Sequence, residues 1–171
     1  METLETLKTR RSHRKYSNQM VSRETIEKII DAGLYAPSGM GQQAVIILAI
    51  TNKALRDQLS EMNRKIGGWD FDPFYEAPVV LVVLADTTRP TYIYDGSLVM
   101  GNLMNAAHSL GVDSCWIHRA KEEFESEEGK AILKKLGISG SYEGIGHCIL
   151  GYALDTPDAA PRKPNRVVWV E

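Results

Sequence analysis

Apolar residues first recur at helical spacing after Ser22, where Ile26, Ile29, Ile30, Gly33 and Leu34 follow at i, i+3, i+4, i+7 and i+8. This predicts an amphipathic helix that Ser22 caps and that ends before Pro37. A loop, Ala36-Pro37-Ser38-Gly39-Met40-Gly41-Gln42-Gln43, leads into the run Ala44 to Ile50. That run is of strand length and continuously apolar, which predicts a strand covered on both faces. Asn52 is placed to cap a second helix with the stripe Leu55, Leu59, Met62 and Ile66, and the turn-rich stretch 67–78 separates it from a second buried strand, Val79 to Ala85. From Tyr92 to Leu110 the pattern is again helical, but Leu98, Val99, Met100, Leu103, Met104, Ala106, Ala107 and Leu110 occupy most of the circumference. A helix uncharged over such a length is normally enclosed by protein, at the centre of its own domain or in a subunit interface. After Gly111 the sequence predicts a strand (Asp113 to His118), a charged helix (Lys121 to Leu136) and a last core strand (His147 to Tyr152). Gly137-Ile138-Ser139-Gly140, with Gly144, reads as turn chemistry. The fold class is α+β.

Residues 1–154 form the domain proper and 155–171 a C-terminal arm of the same domain. The arm carries Pro157, Pro161 and Pro164 yet finishes Arg166-Val167-Val168-Trp169-Val170, where a free terminus is ordinarily polar. An extended segment of this kind needs a sheet edge, either its own or that of a second subunit. With 171 residues, 43% hydrophobic and 25% charged, the chain is long enough to bury one core without disulfides or a structural metal. Twenty Lys and Arg against 22 Asp and Glu give a formal charge of -2, against general nucleic-acid binding. The longest uncharged run, Gly96 to Val112, is too short for a membrane span and contains Asn102, Asn105 and His108. Two cysteines make no disulfide framework and no secretory leader is evident, so a cytoplasmic location is expected.

Arg10-Arg11-Ser12-His13-Arg14-Lys15 places four permanent cations and a hydroxyl within six residues, after a short apolar-patterned segment with Leu4 and Leu7. Guanidinium forks and a hydroxyl can grip a phosphate; the alternative is a solvated basic patch. Neither a P-loop nor a Rossmann glycine fingerprint occurs. Cys115 and His118, with His147 and Cys148, superficially resemble zinc ligands, but on strands Cys148 and His147 point to opposite faces, so no metal site is expected. Small buried packing is the expected role of both cysteines.

Five segments in order carry a family likeness: Arg10-Arg11-Ser12-x-Arg14, Ala36-Pro37-Ser38-Gly39 with Gln43, Gly111-Val112-Asp113-Ser114-Cys115-Trp116-Ile117, Ile149-Leu150-Gly151-Tyr152 and Arg162-Lys163-Pro164. Together they resemble the short, FMN-dependent members of the nitroreductase family, over nearly the whole chain. The resemblance implies a mixed central sheet flanked by helices, in a homodimer whose C-terminal arms are exchanged and whose two FMN molecules lie in the interface. It also implies an oxidoreductase that takes hydride from NAD(P)H and passes electrons to a nitroaromatic, quinone or similar small-molecule acceptor through flavin N5, in ping-pong fashion. By the same resemblance Arg10, Arg11, Ser12 and Arg14 hold the FMN phosphate and ribityl chain, with Arg162 and Lys163 closing the phosphate pocket. Pro37, Ser38 and Gly39 come from the other subunit against the isoalloxazine, Asp95 makes a polar contact to the flavin, and Trp116, Ile117 and His118 form the strand end near N5. Where relatives often read Asn-x-Gln-Pro-Trp, this chain has Gly41-Gln42-Gln43-Ala44-Val45. The alternatives are a specialised flavin enzyme of the same fold, performing dehalogenation or dehydrogenation, and a flavin-binding protein without turnover.

Overall fold

A computed structural model describes residues 2–171. Among these residues six α-helices and four strands follow one another as α1 (Thr3–Thr9), α2 (Arg23–Leu34), β1 (Val45–Ile50), α3 (Lys53–Gly67), β2 (Val79–Asp86), α4 (Tyr92–Ser109), β3 (Asp113–Ile117), α5 (Ala120–Glu125), α6 (Glu127–Lys135) and β4 (Tyr142–Gly151), with one 3-10 turn at Gly39–Gly41. The sheet order is β1-β2-β4-β3. The three strand pairs are all antiparallel, and parallel pairing among the described residues is confined to the isolated bridge Ser12–Ser114. The expected mixed sheet is therefore mixed only through that bridge, because the parallel partner is a short piece of the N-terminal segment and not a strand.

Alternation along the central strands builds two cores. Val79, Leu81, Val83 and Ala85 of β2 face α2 and α4, where they meet Ile26, Ile29, Met100 and Leu103. Val80, Val82 and Leu84 face the other way, onto Leu59 of α3, Phe74, and Phe124 of α5. Each residue from Val79 to Ala85 is 0% exposed, as an uninterrupted apolar run predicts for a strand covered on both faces. β1 carries the same kind of run but lies at the sheet edge, pairs with β2 alone, and is mostly half-buried with Ala49 exposed. Composition could not distinguish the two, since edge position is set by topology. At the α2–α4 crossing a side chain on Gly33 would collide with Leu103, so the glycine permits the close approach.

Ser22 and Asn52 cap α2 and α3 through hydrogen bonds accepted from the N–H groups of Thr25 and Leu55. The charged helix expected over Lys121 to Leu136 is two helices. Ser126 adopts extended backbone (ψ 157°), its Oγ accepts from Gly129 N–H (3.0 Å) and donates to Glu123 O (2.6 Å), and the second helix starts there with Glu127 and Glu128 in its first turn. The last strand starts five residues earlier than expected, at Tyr142. Gly144 is not turn chemistry but part of β4, next to the bulge at Val83/Leu84, where the start of α5 crosses so closely that a Cβ would strike the Ala120 carbonyl.

The inner face of α4 (Asp95, Gly96, Val99, Met100, Leu103, Ala107) is buried, while Ile93, Tyr94 and Leu98 are exposed on this single chain. Beyond Ala153 the chain forms no strand, and Trp169 is 83% exposed. Among the described residues no helix is long and apolar enough to cross a membrane.

Gly144→Ala is expected to destabilise the protein by about 1–3 kcal/mol, because the obstructing atoms are backbone and cannot rotate away. A urea unfolding midpoint equal to that of the wild type would refute the close-approach account.

Candidate active site

The N-terminal segment after α1 is laced between two distant parts of the chain. Ser12 bridges Ser114 of β3, His13 N–H donates to Ser114 O (3.1 Å), Leu154 N–H donates to Lys15 O (2.8 Å), and Tyr16 bridges Ala153. The His13 ring sits between two carboxylates, Nδ1 2.8 Å from Asp155 Oδ1 and Nε2 3.3 Å from Asp113 Oδ1. Asp155 also accepts from Arg14 N–H (2.9 Å) and Asp113 from Ala153 N–H (2.8 Å). Burial opposes ionisation of Asp155, but the Arg14 amide and the His13 ring outweigh it and hold the carboxyl below its ordinary value. Sequence reading passed over His13 as the unassigned position within the basic motif, since its two partners lie at sequence separations that no local pattern reports.

This lacing brings the basic motif against the arm. A cavity of about 590 Å³ lies between them, within the roughly 300–1,000 Å³ typical of small-molecule pockets. Its lining includes Lys8, Arg10, Arg11, Ser12 and Arg162, with no acidic residue. Arg11 Nη1 donates to the carbonyls of Lys8 and Arg10 (2.9 and 2.8 Å), and Arg162 donates to Ala160 O (2.6 Å from Nη2). Arg10 Nη1 is buried with no hydrogen-bond partner. A buried guanidinium N–H with no acceptor is costly, and an anion with several oxygens removes that cost. The donor set fits a phosphate. Arg14 and Lys163 are exposed and do not line the cavity. Lys8 does line it, and belongs to the set that sequence reading missed.

The remaining candidates form two other groups. Asp95, on the buried face of α4, accepts from Gly39 N–H through Oδ1 and from the Thr91 hydroxyl through Oδ2, both at 3.0 Å. Its carboxylate thus fixes the loop of Pro37, Ser38 and Gly39, and Ser38 Oγ in turn accepts from Gln43 N–H (3.1 Å). Met40 and Gln43 have φ of 50° and 49°, in the left-handed region, so the loop is shaped by these bonds against local preference. The third group is the end of β3. Trp116 packs in the first core, Ile117 O lies 3.2 Å from His147 Nδ1, and His118 O accepts from Asn63 Nδ2 (2.8 Å). Burial pushes the Cys115 and Cys148 thiols up, consistent with packing roles. His147 faces Phe74 in the second core (centroids 5.0 Å apart) and Cys148 faces the first, the alternation that argued against shared metal ligation.

A larger cavity, about 870 Å³, lies beside α3 and the 70–78 segment. It carries both signs of charge, and every cation in its lining is already paired: Lys53 with Asp57, Arg56 with Asp57 and Asp72, Arg64 with Glu61. Its lining holds no buried side-chain polar atom without a partner, unlike the cationic cavity.

The family model described as "Nitroreductase family" matches residues 7–67 and 65–152. A protein of Archaeoglobus fulgidus, provisionally named NADH dehydrogenase/NAD(P)H nitroreductase, is 32% identical over 162 residues, 92% of this chain and 88% of that protein. A Methanothermobacter thermautotrophicus protein of the same name is 32% identical over 120 residues; the match covers 68% of this chain and 60% of that protein's length. The crystal structure of a nitroreductase with bound FMN from Bacteroides fragilis superposes over the whole of both chains with a TM-score of 0.91 at 27% identity.

Because the Asp155 carboxyl is held low in the folded protein, its contribution to stability is present above its unfolded value, about 3.9, and is lost as pH falls through the lower folded value. Asp155→Ala is therefore expected to lower Tm at pH 7, with the gap to the wild type narrowing below pH 4. A gap that stays constant from pH 7 to pH 2.5 would refute the latch formed by His13 between Asp155 and Asp113.

Proposed function

The chain belongs to the nitroreductase family, and from that premise we propose that it is an FMN-dependent NAD(P)H oxidoreductase acting on small electron acceptors, nitroaromatics or quinones among them. The observation that carries the reading is the acid-free cavity in which four cations and a hydroxyl converge and Arg10 Nη1 lacks a partner. That the Bacteroides fragilis structure with bound FMN shares the fold over its full length supports FMN as the anion's source. The names of the archaeal relatives support NAD(P)H as the electron donor.

On this reading Arg10, Arg11, Ser12 and Arg162 bind the phosphate, while Arg14 and Lys163 stand at the outer edge and add to the local positive potential. Pro37, Ser38 and Gly39 of the partner subunit lie against the isoalloxazine, on a loop whose geometry Asp95 holds. Asp95 acts through that loop, since both of its oxygens are committed to Gly39 and Thr91. Trp116, Ile117 and His118 approach the ring with backbone fixed by His147 and Asn63. When bound, the flavin would supply the redox chemistry, hydride acceptance at N5 from NAD(P)H and ping-pong electron transfer to the acceptor. The chain contributes position, exclusion of water and the phosphate anchor.

A homodimer accounts for the surfaces left apolar on the single chain. Ile93, Tyr94 and Leu98 expose one side of α4, and the arm ends in exposed Val167, Val168, Trp169 and Val170. In a dimer the first would be covered by its counterpart and the second would cross onto the partner.

Purified protein is expected to be yellow, to release about one FMN per chain on denaturation, and to scatter light as twice 19.1 kDa. Arg10→Ala removes a charged phosphate partner worth about 1.5–3 kcal/mol, so FMN affinity should fall roughly 10- to 150-fold. Protein that remains colourless after incubation with excess FMN would overturn the proposal.

A further inference from the structure

One buried ionisable pair has no part in the phosphate cavity. His147, on β4, and Glu123, on α5, are both 0% exposed, with His147 Nε2 2.6 Å from Glu123 Oε2. The other ring nitrogen, Nδ1, faces the Ile117 carbonyl, which can only accept, so Nδ1 carries a hydrogen. One further proton then lies between Nε2 and Oε2, and the pair is electrically neutral whichever atom holds it. Glu123 Oε1 has no hydrogen-bond partner at all.

Stability alone does not account for such a pair. Exchanging a buried charge-bearing couple for apolar residues of similar volume is often neutral or favourable, and the unpaired Oε1 makes this couple less favourable still. What the pair does achieve is geometric. Ile117 is the last residue of β3; the next carbonyl, that of His118, is held by Asn63, itself buried. Arg119 follows with φ 76°, and its carbonyl accepts from Glu123 N–H (3.1 Å) as α5 begins. Glu123 returns through His147 to Ile117. The strand end is thus closed into a ring of contacts, Ile117 to Arg119 to Glu123 to His147 and back, and cannot shift without moving α5.

We propose that His147 and Glu123 are positioning residues that fix the backbone of the β3 end, and with it the edge of the flavin pocket; this rests on the reading that Trp116 to His118 borders the isoalloxazine. They touch neither flavin nor substrate, and act through the Ile117 carbonyl.

The double variant His147→Phe/Glu123→Leu tests this in the FMN-loaded enzyme. It keeps the core apolar and filled but removes the ring's hydrogen bond to the Ile117 carbonyl. The expected result is a dimer that retains FMN and unfolds within a few degrees of the wild type, yet shows displaced flavin absorption bands, a shifted flavin reduction potential and kcat/KM lower by roughly ten- to a hundredfold. Glu123→Gln, whose amide can donate to Nε2 and leave Nδ1–H in place, should keep the wild-type spectrum and stay within about twofold in kcat/KM. A double variant with wild-type spectrum, potential and kcat/KM overturns the proposal. Should that variant not fold, nitrogen NMR of wild-type protein decides at pH 7: an Nδ1 shift typical of a protonated ring nitrogen supports the tie, and an unprotonated Nδ1 overturns it. The NMR measurement needs no flavin, so a chain that takes up no FMN would refute the functional reading while the tie itself is judged separately.

Discussion

The candidate site depends on one contact set, the His13 ring held between Asp113 and Asp155. Asp113 opens β3 and Asp155 opens the arm, so a single imidazole fastens the N-terminal segment to the sheet and to the far end of the chain at once. Without it the basic motif would be a run of like charges with no reason to face inward, since mutual repulsion drives such runs toward water. With it, Arg10 and Arg11 are brought opposite Ala160 and Arg162 across a cavity that contains no acid. Tyr16 reinforces the arrangement from within the core: it is buried, and its hydroxyl donates to the His13 carbonyl (3.1 Å).

The sheet supplies the rigid frame for this latch. β2 and β4 are buried on both faces and pair through eight registered positions, so β3, the outer strand beside β4, is held in fixed register with Asp113 opposite Gly151. The two ends of β3 then serve different groups: its start meets the latch, and its finish, Ile117, meets the His147–Glu123 pair. A four-stranded sheet with helices on both sides can carry sites at each end of one strand because pairing with β4 fixes that strand's register.

Much of this was legible in the sequence where local chemistry decides structure. Ser22 and Asn52 announced their helices because capping is a matter of three adjacent residues. The apolar run of β2 announced full burial, but the equal run of β1 did not reveal an edge, which only the strand order determines. Ser126 divided a predicted single helix although its Ser-Glu-Glu signature was visible, since the charged stretch around it matched a helix on either side. Gly144 looked like a turn because its reason for being glycine, the Ala120 carbonyl, belongs to another element. In the site, the basic motif and Arg162 were found by residue type and family likeness, whereas His13 and Lys8 acquire their roles from partners across the fold. Asp95 was singled out as a flavin contact by the family likeness alone, whereas its hold on the loop, through Gly39 N–H, is a long-range pairing that no local pattern reports.

The cationic cavity is electrostatically incomplete without an anion, and this has a consequence for the arm. Arg162 is exposed and its guanidinium donates to Ala160 O, two residues away, so nothing local commits it to the cavity. Four like charges around one space raise its free energy by mutual repulsion, most strongly for Arg10, whose buried Nη1 also lacks an acceptor. An anion of double charge reverses the sign of every one of those interactions and gives Arg162 a reason to remain inward. Anion binding and arm placement are then one linked equilibrium, in which the ligand that neutralises the pocket also favours the inward position of Arg162. The latch at Asp155 sets where that coupled segment begins, because the carboxylate that anchors His13 belongs to the first residue of the arm.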